Sequence, residues 1–195
     1  KGRALAYFGD LFAQLYVVDA FSGKLIWKKK IDNHSNATIT GTPISIDEVI
    51  YVPVSSLEVT SAADPNYKCC TFRGSLSAMN LLNGELIWKS HTVRDVPKQI
   101  GKTSIGTPII APSGAPVWTT VTVDETRGRL YLGTGENYSS PSTDTSDSII
   151  AFNISNGEMI WATQMTAGDA WNMACMEENN PNCPIENGPD QDFGA

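Results

Sequence analysis

The chain has 195 residues, 21 acidic against 14 basic side chains, a formal net charge of −7 and 41% hydrophobic residues. That length supports one sizeable core. The acidic balance, with no basic run longer than Lys28-Lys29-Lys30, argues against a nucleic-acid partner, and the apolar runs are too short to span a membrane.

In chain order, the first predicted element is a β-hairpin at 17–29, VVDAFSGKLIWKK. Gly23 supplies the positive φ of a tight turn between alternating strands, and Trp27 returns on the second strand. Next come ITGTPIS (39–45), in which Gly-Thr-Pro leads into an apolar strand, and the strand VIYVPVSS (49–56). Behind that strand stand Ser55, Ser56 and Glu58, then a polar loop, Cys69-Cys70 and Arg73. An acid, hydroxyls, a cysteine pair and an arginine at one strand end read as a site rather than a core. The hairpin then repeats at 78–90 (AMNLLNGELIWKS, with Trp88) and at 151–163 (AFNISNGEMIWAT, with Trp161). Gly-Thr-Pro repeats at 104–110 (SIGTPII), followed by strands at 117–124 (VWTTVTVD) and 129–135 (RLYLGTG).

Each unit therefore reads strand, strand, strand, turn, strand, which predicts a four-stranded antiparallel sheet. The large indole packs on a neighbouring unit. No amphipathic helix is predicted, and regular β units with a docking Trp suggest a propeller. Asn137-Tyr138-Ser139 also forms a glycosylation sequon. Four cysteines (Cys69, Cys70, Cys175, Cys183) in loop-like surroundings favour disulfides and an oxidising compartment; zinc is the alternative, although no C-x-x-C is present. The abrupt start at Lys1 and the stop at Ala195 are expected of a segment of a longer protein.

The Trp hairpins and Gly-Thr-Pro strands resemble the blades of the pyrroloquinoline quinone (PQQ)-dependent alcohol dehydrogenases, nearest the polyvinyl alcohol dehydrogenase-like branch. The resemblance implies an all-β fold in which residues 1–195 form about three to four blades of an eight-bladed β-propeller domain, incomplete at both ends. It also implies PQQ held over a calcium ion. Glu58 and one of Glu136 or Asn137 are the expected metal ligands. Thr40, Ser55, Ser56 and Arg73 would meet the quinone's polar groups, with Trp118 beneath its plane. The family carries a vicinal disulfide against the cofactor, which Cys69-Cys70 would supply. Two free thiols, or bonds to other cysteines, are the alternatives. A Cys175–Cys183 bridge would tether the acidic loop MEENNPN.

The family's base is an Asp after Trp, but Asp169-Ala170-Trp171-Asn172 places Asn there. The base is therefore expected from Asp190, with Asp192 in reserve. The implied reaction is oxidation of a small or polymeric alcohol, with electrons leaving to a cytochrome c, in a periplasmic or secreted protein. The rival class is a non-catalytic propeller that serves as a protein-binding scaffold.

Overall fold

The structure, a computed structural model, describes residues 4–184 and 190–191. The first sheet has three antiparallel strands, β1 (Leu5–Gly9), β2 (Gln14–Asp19) and β3 (Leu25–Lys30), in that order. The second is built on β6 (Val49–Ser56). Both β4 (Ala37–Thr38) and β5 (Ile44–Ile46) pair with one edge of β6, and β7 (Ser75–Asn80) and β8 (Leu86–His91) follow on the other. A separate ribbon joins β9 (Lys98–Lys102) to β10 (Pro108–Ala111). The third sheet runs β11 (Thr122–Asp124), β12 (Arg129–Gly133), β13 (Ser148–Asn153), β14 (Met159–Gln164). Helical structure among the described residues is confined to the four-residue α1 (Glu58–Ser61) and a 3₁₀ turn at Met173–Met176.

The three Trp hairpins are the same object in detail. Gly23, Gly84 and Gly157 take φ of 69°, 71° and 72°. Their amides donate to the carbonyls of Asp19, Asn80 and Asn153. Those three side chains also accept the amides of Ser22, Leu82 and Ser155 at 2.9 Å, closing each turn from within. Each hairpin carries a register shift at the same place, after Val17, Ala78 and Ala151, the residues paired with Trp27, Trp88 and Trp161.

The indoles hold the blades together. Trp27 donates to the Leu81 carbonyl and Trp88 to that of Ile154, each on the hairpin of the following blade. A Cβ on Gly84 or Gly157 would strike the Trp27 or Trp88 ring, so the turn glycine serves packing as well as φ. Trp161, at the corresponding place on the last sheet, is 37% exposed. One apolar core lies between the first and second sheets, and the other between the second and third.

The fold differs from the predicted unit in one respect. The second Gly-Thr-Pro strand is not a blade strand: β10 pairs with β9, and VTVD supplies the inner strand β11 of the third sheet. The first Gly-Thr-Pro leads into β5, as expected of a blade strand.

Candidate active site

Beyond the strand ends, short segments from successive blades lie edge to edge. Ile110 donates to the Cys69 carbonyl at 2.7 Å and accepts from the Cys70 amide at 3.0 Å. Gly114 donates to Phe72 (2.8 Å) and accepts from Gly74 (2.9 Å); Ala115 donates to Glu136 (2.8 Å), and Trp171 to Asn137 (2.8 Å). Single bridges link Arg73 to Gly114, Gly114 to Asn137 and Asn137 to Ala170. Cys69, Cys70, Arg73, Glu136, Asn137 and the Asp169-Ala170-Trp171 stretch therefore lie in one layer of adjoining backbone, although 103 residues separate Cys69 from Asn172.

Glu58 opens α1 and is fully buried. Its Oε1 accepts from the Tyr67 hydroxyl (3.0 Å), the Thr71 amide (2.9 Å) and the Thr71 hydroxyl (3.3 Å); His34 Nε2 lies 3.4 Å away. Its Oε2 accepts from the amides of Thr71 (3.0 Å) and Phe72 (2.8 Å). Burial on its own pushes this carboxyl up, but the His34 contact and the two amides outweigh it and hold the carboxyl below its usual range. Burial and the Glu58 charge push Tyr67 up, so its hydroxyl stays a donor.

The metal-ligand role expected of Glu58 does not fit this geometry. A carboxylate offers about four lone-pair sites, and here N–H and O–H groups already take them. Asn137 does not fit either: it is buried, its Nδ2 donates to Ser113 O (2.7 Å), and its Oδ1 accepts from the Thr143 amide and hydroxyl. The same burial places its sequon out of reach of glycosylation. Glu136, also buried, is the remaining member of the expected set. No three His, Cys, Asp or Glu side chains cluster as a metal centre among the described residues.

Trp118 is half-buried, and the edge of its six-membered ring lies so close to Gly135 that a Cβ there would come within 1.9 Å of it. Thr40 is exposed; its neighbour Gly41 approaches the Trp118 and Thr119 carbonyls closely. Thr40, Trp118 and the Gly135-Glu136 turn therefore lie together. Ser55 and Ser56 are buried at the end of β6, and Ser56 Oγ accepts the Glu58 amide (2.8 Å). Arg73 is half-buried and donates through Nη1 to the carbonyls of Val93 (3.3 Å) and Arg94 (3.2 Å).

Cys69 is bonded to Cys70, and Cys175 to Cys183, leaving no free cysteine. Asn172 explains the departure from Trp-Asp. Its buried Nδ2 donates to Tyr138 O (2.9 Å) and Asn182 O (3.0 Å) and lies 3.8 Å from Cys69 Sγ, roles that a carboxylate cannot fill. Asp190 is exposed, and the amide of Gln191 beside it donates to Asp169 Oδ2 at 2.9 Å. Asp192 lies outside the described residues.

Sequence reasoning missed His34, Tyr67, Asn172 and Asn182. Asn182 donates to the carbonyls of Ala62, Asp64 and Tyr67, fastening the Cys175–Cys183 loop to the segment after α1. Their local sequence does not reveal these roles, because the partners that define them, such as Thr71 for His34 and Tyr138 for Asn172, come from distant segments.

A family model described as the PQQ glucose/ethanol/alcohol dehydrogenase β-propeller domain matches residues 29–178. The chain is 35% identical over 195 residues to polyvinylalcohol dehydrogenase from Sphingopyxis sp. (strain 113P3), covering 99% of this chain and 30% of that protein. It is 31% identical over 188 residues to polyvinylalcohol dehydrogenase from Pseudomonas sp., covering 96% and 29%. The chain thus spans about 30% of the length of these relatives. The solved quinohemoprotein alcohol dehydrogenase ADHIIG from Pseudomonas putida HK5 shares the fold, with a TM-score of 0.64 and 24% identity, over 86% of this chain and 26% of that one. Matched by that model across most of its length, and built from the blades the model describes, this chain belongs to the PQQ-dependent alcohol dehydrogenase β-propeller family.

Proposed function

We propose that the whole protein oxidises an alcohol to a carbonyl and that this chain supplies part of the PQQ site. The observation that carries the reading is the flat, half-buried indole of Trp118 seated on Gly135, beside Glu136 and Thr40. A half-buried indole fixed against backbone offers a stacking surface to a flat conjugated ring. When bound, PQQ supplies a two-electron acceptor for the hydride of the carbinol carbon. The chain's own part is positional. Trp118 would support the ring plane, Arg73 would meet the cofactor's anionic groups, and the Cys69–Cys70 pair would pack beside the ring. Asp190 takes the hydroxyl proton as general base. Glu136 is the carboxylate we assign to calcium, since it follows Gly135, where the Trp118 ring lies.

The polyvinylalcohol dehydrogenases among its relatives suggest a polymeric alcohol as substrate. Reduced cofactor would pass electrons to a cytochrome c, and two disulfides suit a periplasmic or secreted protein. The test is titration of the full-length protein with PQQ, with and without calcium, followed by the quinone absorbance, and then dye-linked oxidation of polyvinyl alcohol oligomers and of ethanol. Saturable binding with alcohol-dependent dye reduction is expected. Absence of both would overturn the assignment.

A further inference from the structure

Glu58 accepts five hydrogen bonds, and its donors have a common destination. Two of them are the consecutive amides of Thr71 and Phe72, immediately after the Cys69–Cys70 pair. The Thr71 hydroxyl adds a third contact from the same loop (3.3 Å) and stands 2.9 Å from His34 Nε2. His34 is oriented in turn: its Nδ1 accepts the Asn36 amide at 3.2 Å, which leaves Nε2 to carry a proton toward Glu58 and Thr71. Asn36 also donates to the Tyr67 hydroxyl (3.2 Å), and Tyr67 donates to Glu58. The Phe72 ring packs on Tyr138 and, edge-on, on His34. One buried anion thus gathers donors from three segments around the cystine loop.

We propose that Glu58 is the internal anion that seats the Cys69–Cys70 loop, and that it is not a ligand of the metal. Calcium takes six to eight oxygen ligands at about 2.3–2.6 Å, so it needs open lone pairs on each ligand. Around Glu58 those directions carry hydrogens whose partial positive charge would face the ion. The loop needs the anion, because it leaves two successive amides pointing into a buried space, and orphaned buried amides are costly. Asn172 Nδ2 also reaches the cystine, 3.8 Å from Cys69 Sγ. Glu58 and Asn172 therefore grip it from two segments far apart in the chain. The metal half of the proposal rests on the quinoprotein reading; the loop half does not.

The experiment uses Glu58→Gln in the full-length protein and three readouts. Calcium affinity is measured with calcium chloride alone. Melting is followed in calcium and in chelator. Reduction of Cys69–Cys70 by a soluble dithiol is followed by mass spectrometry, with Cys175–Cys183 as internal reference. The Gln side chain keeps the shape but turns an N–H against the Thr71 and Phe72 amides. Seating by the anion predicts that Cys69–Cys70 is reduced about tenfold faster or more, the factor expected for losing a hydrogen bond to a charged group. It also predicts an equal drop in melting temperature in calcium and in chelator, with calcium affinity unchanged. A tenfold or greater loss of calcium affinity, with melting in chelator and cystine reduction as in the wild type, would show that Glu58 is a ligand and overturn the proposal. If Glu58→Gln does not fold, Tyr67→Phe removes one donor only. It should speed cystine reduction and leave calcium affinity intact, and unchanged cystine reduction would overturn the proposal. If the wild type binds neither calcium nor PQQ, the quinoprotein reading fails, while cystine reduction and melting in chelator still decide whether Glu58 seats the loop.

Discussion

Trp27 Nε1 donates to the carbonyl of Leu81 at 2.9 Å, 54 residues further on and one blade away. The ring lies on Gly84, whose positive φ makes the turn that presents the carbonyl. Trp88 repeats the arrangement on Ile154 and Gly157. Replacing Trp27 or Trp88 by Ala should destabilise the protein by about 3–5 kcal/mol, the usual range for emptying a large aromatic site. Trp27→Phe keeps most of the packing and should cost less, about 1 kcal/mol of it from the lost hydrogen bond. Gly157→Ala should rival the Trp losses, since its Cβ meets the Trp88 ring at a φ that Ala tolerates poorly. Urea unfolding followed by indole fluorescence would rank the four.

The repeat was legible in the sequence because each hairpin is a local object. Alternation, the Asp or Asn before the turn, the Gly and the Trp all lie within thirteen residues. The roles of Glu58 and Asn137 were not legible, because a carboxylate or amide can bind a cation or a set of N–H groups equally well. The choice is made by donors at His34, Tyr67, Thr71 and Thr143, brought up by other loops. Likewise SIGTPII matches ITGTPIS letter for letter at Gly-Thr-Pro. Only its partner strand β9 decides that it builds a ribbon against the cystine rather than a blade.

Glu58 should leave a signature in acid. Its carboxyl is held below the ordinary Glu value of about 4.3, so its stabilising contribution is complete above that value. The contribution is then lost as pH falls through the lower folded-state value, where the carboxyl takes up a proton. Stability of the wild type should therefore fall more steeply below about pH 4 than that of Glu58→Gln. Denaturant midpoints measured from pH 7 down to pH 3 should converge for the two proteins. Parallel curves would mean that Glu58 does not titrate across folding.

Gly135 is bare so that Trp118 can lie on it. Gly135→Ala should push the indole out of its seat and weaken PQQ binding, with little change in the blades themselves, because the residue lies beyond β12. Quinone absorbance on titration with PQQ is the measurement. Trp118→Phe, which keeps a flat ring over Gly135, should retain more binding than Gly135→Ala.

Restoring the Trp-Asp pair of the family should harm this protein. In Asn172→Asp an acidic side chain would face the carbonyls of Tyr138 and Asn182 where an amide now donates to them. A buried donor replaced by an unpaired charge should cost about 3–5 kcal/mol. A lower melting temperature and faster dithiol reduction of Cys69–Cys70 are expected. Gain of turnover without destabilisation would instead point to position 172 as the place of the base.

The proton acceptor is the sharpest test of the chemistry. With Asn at 172, the described aspartates at this end of the chain are Asp169 and Asp190. Asp169 is buried and accepts the Gln191 amide, so it orients the segment that carries Asp190 rather than meeting substrate. Asp190 is exposed, as a base that must reach an incoming alcohol has to be. Asp190→Asn in the full-length protein should keep PQQ affinity and lower kcat by about 10²–10⁴-fold, the usual share of general-base catalysis. Asp169→Asn should act through the segment it holds, raising KM as well as lowering kcat. Single-turnover reduction of bound PQQ separates the two, since loss of the base slows the chemical step even at saturating alcohol. Normal turnover in Asp190→Asn together with a dead Asp192→Asn would move the base two residues along the chain. Normal turnover in both would exclude this stretch altogether.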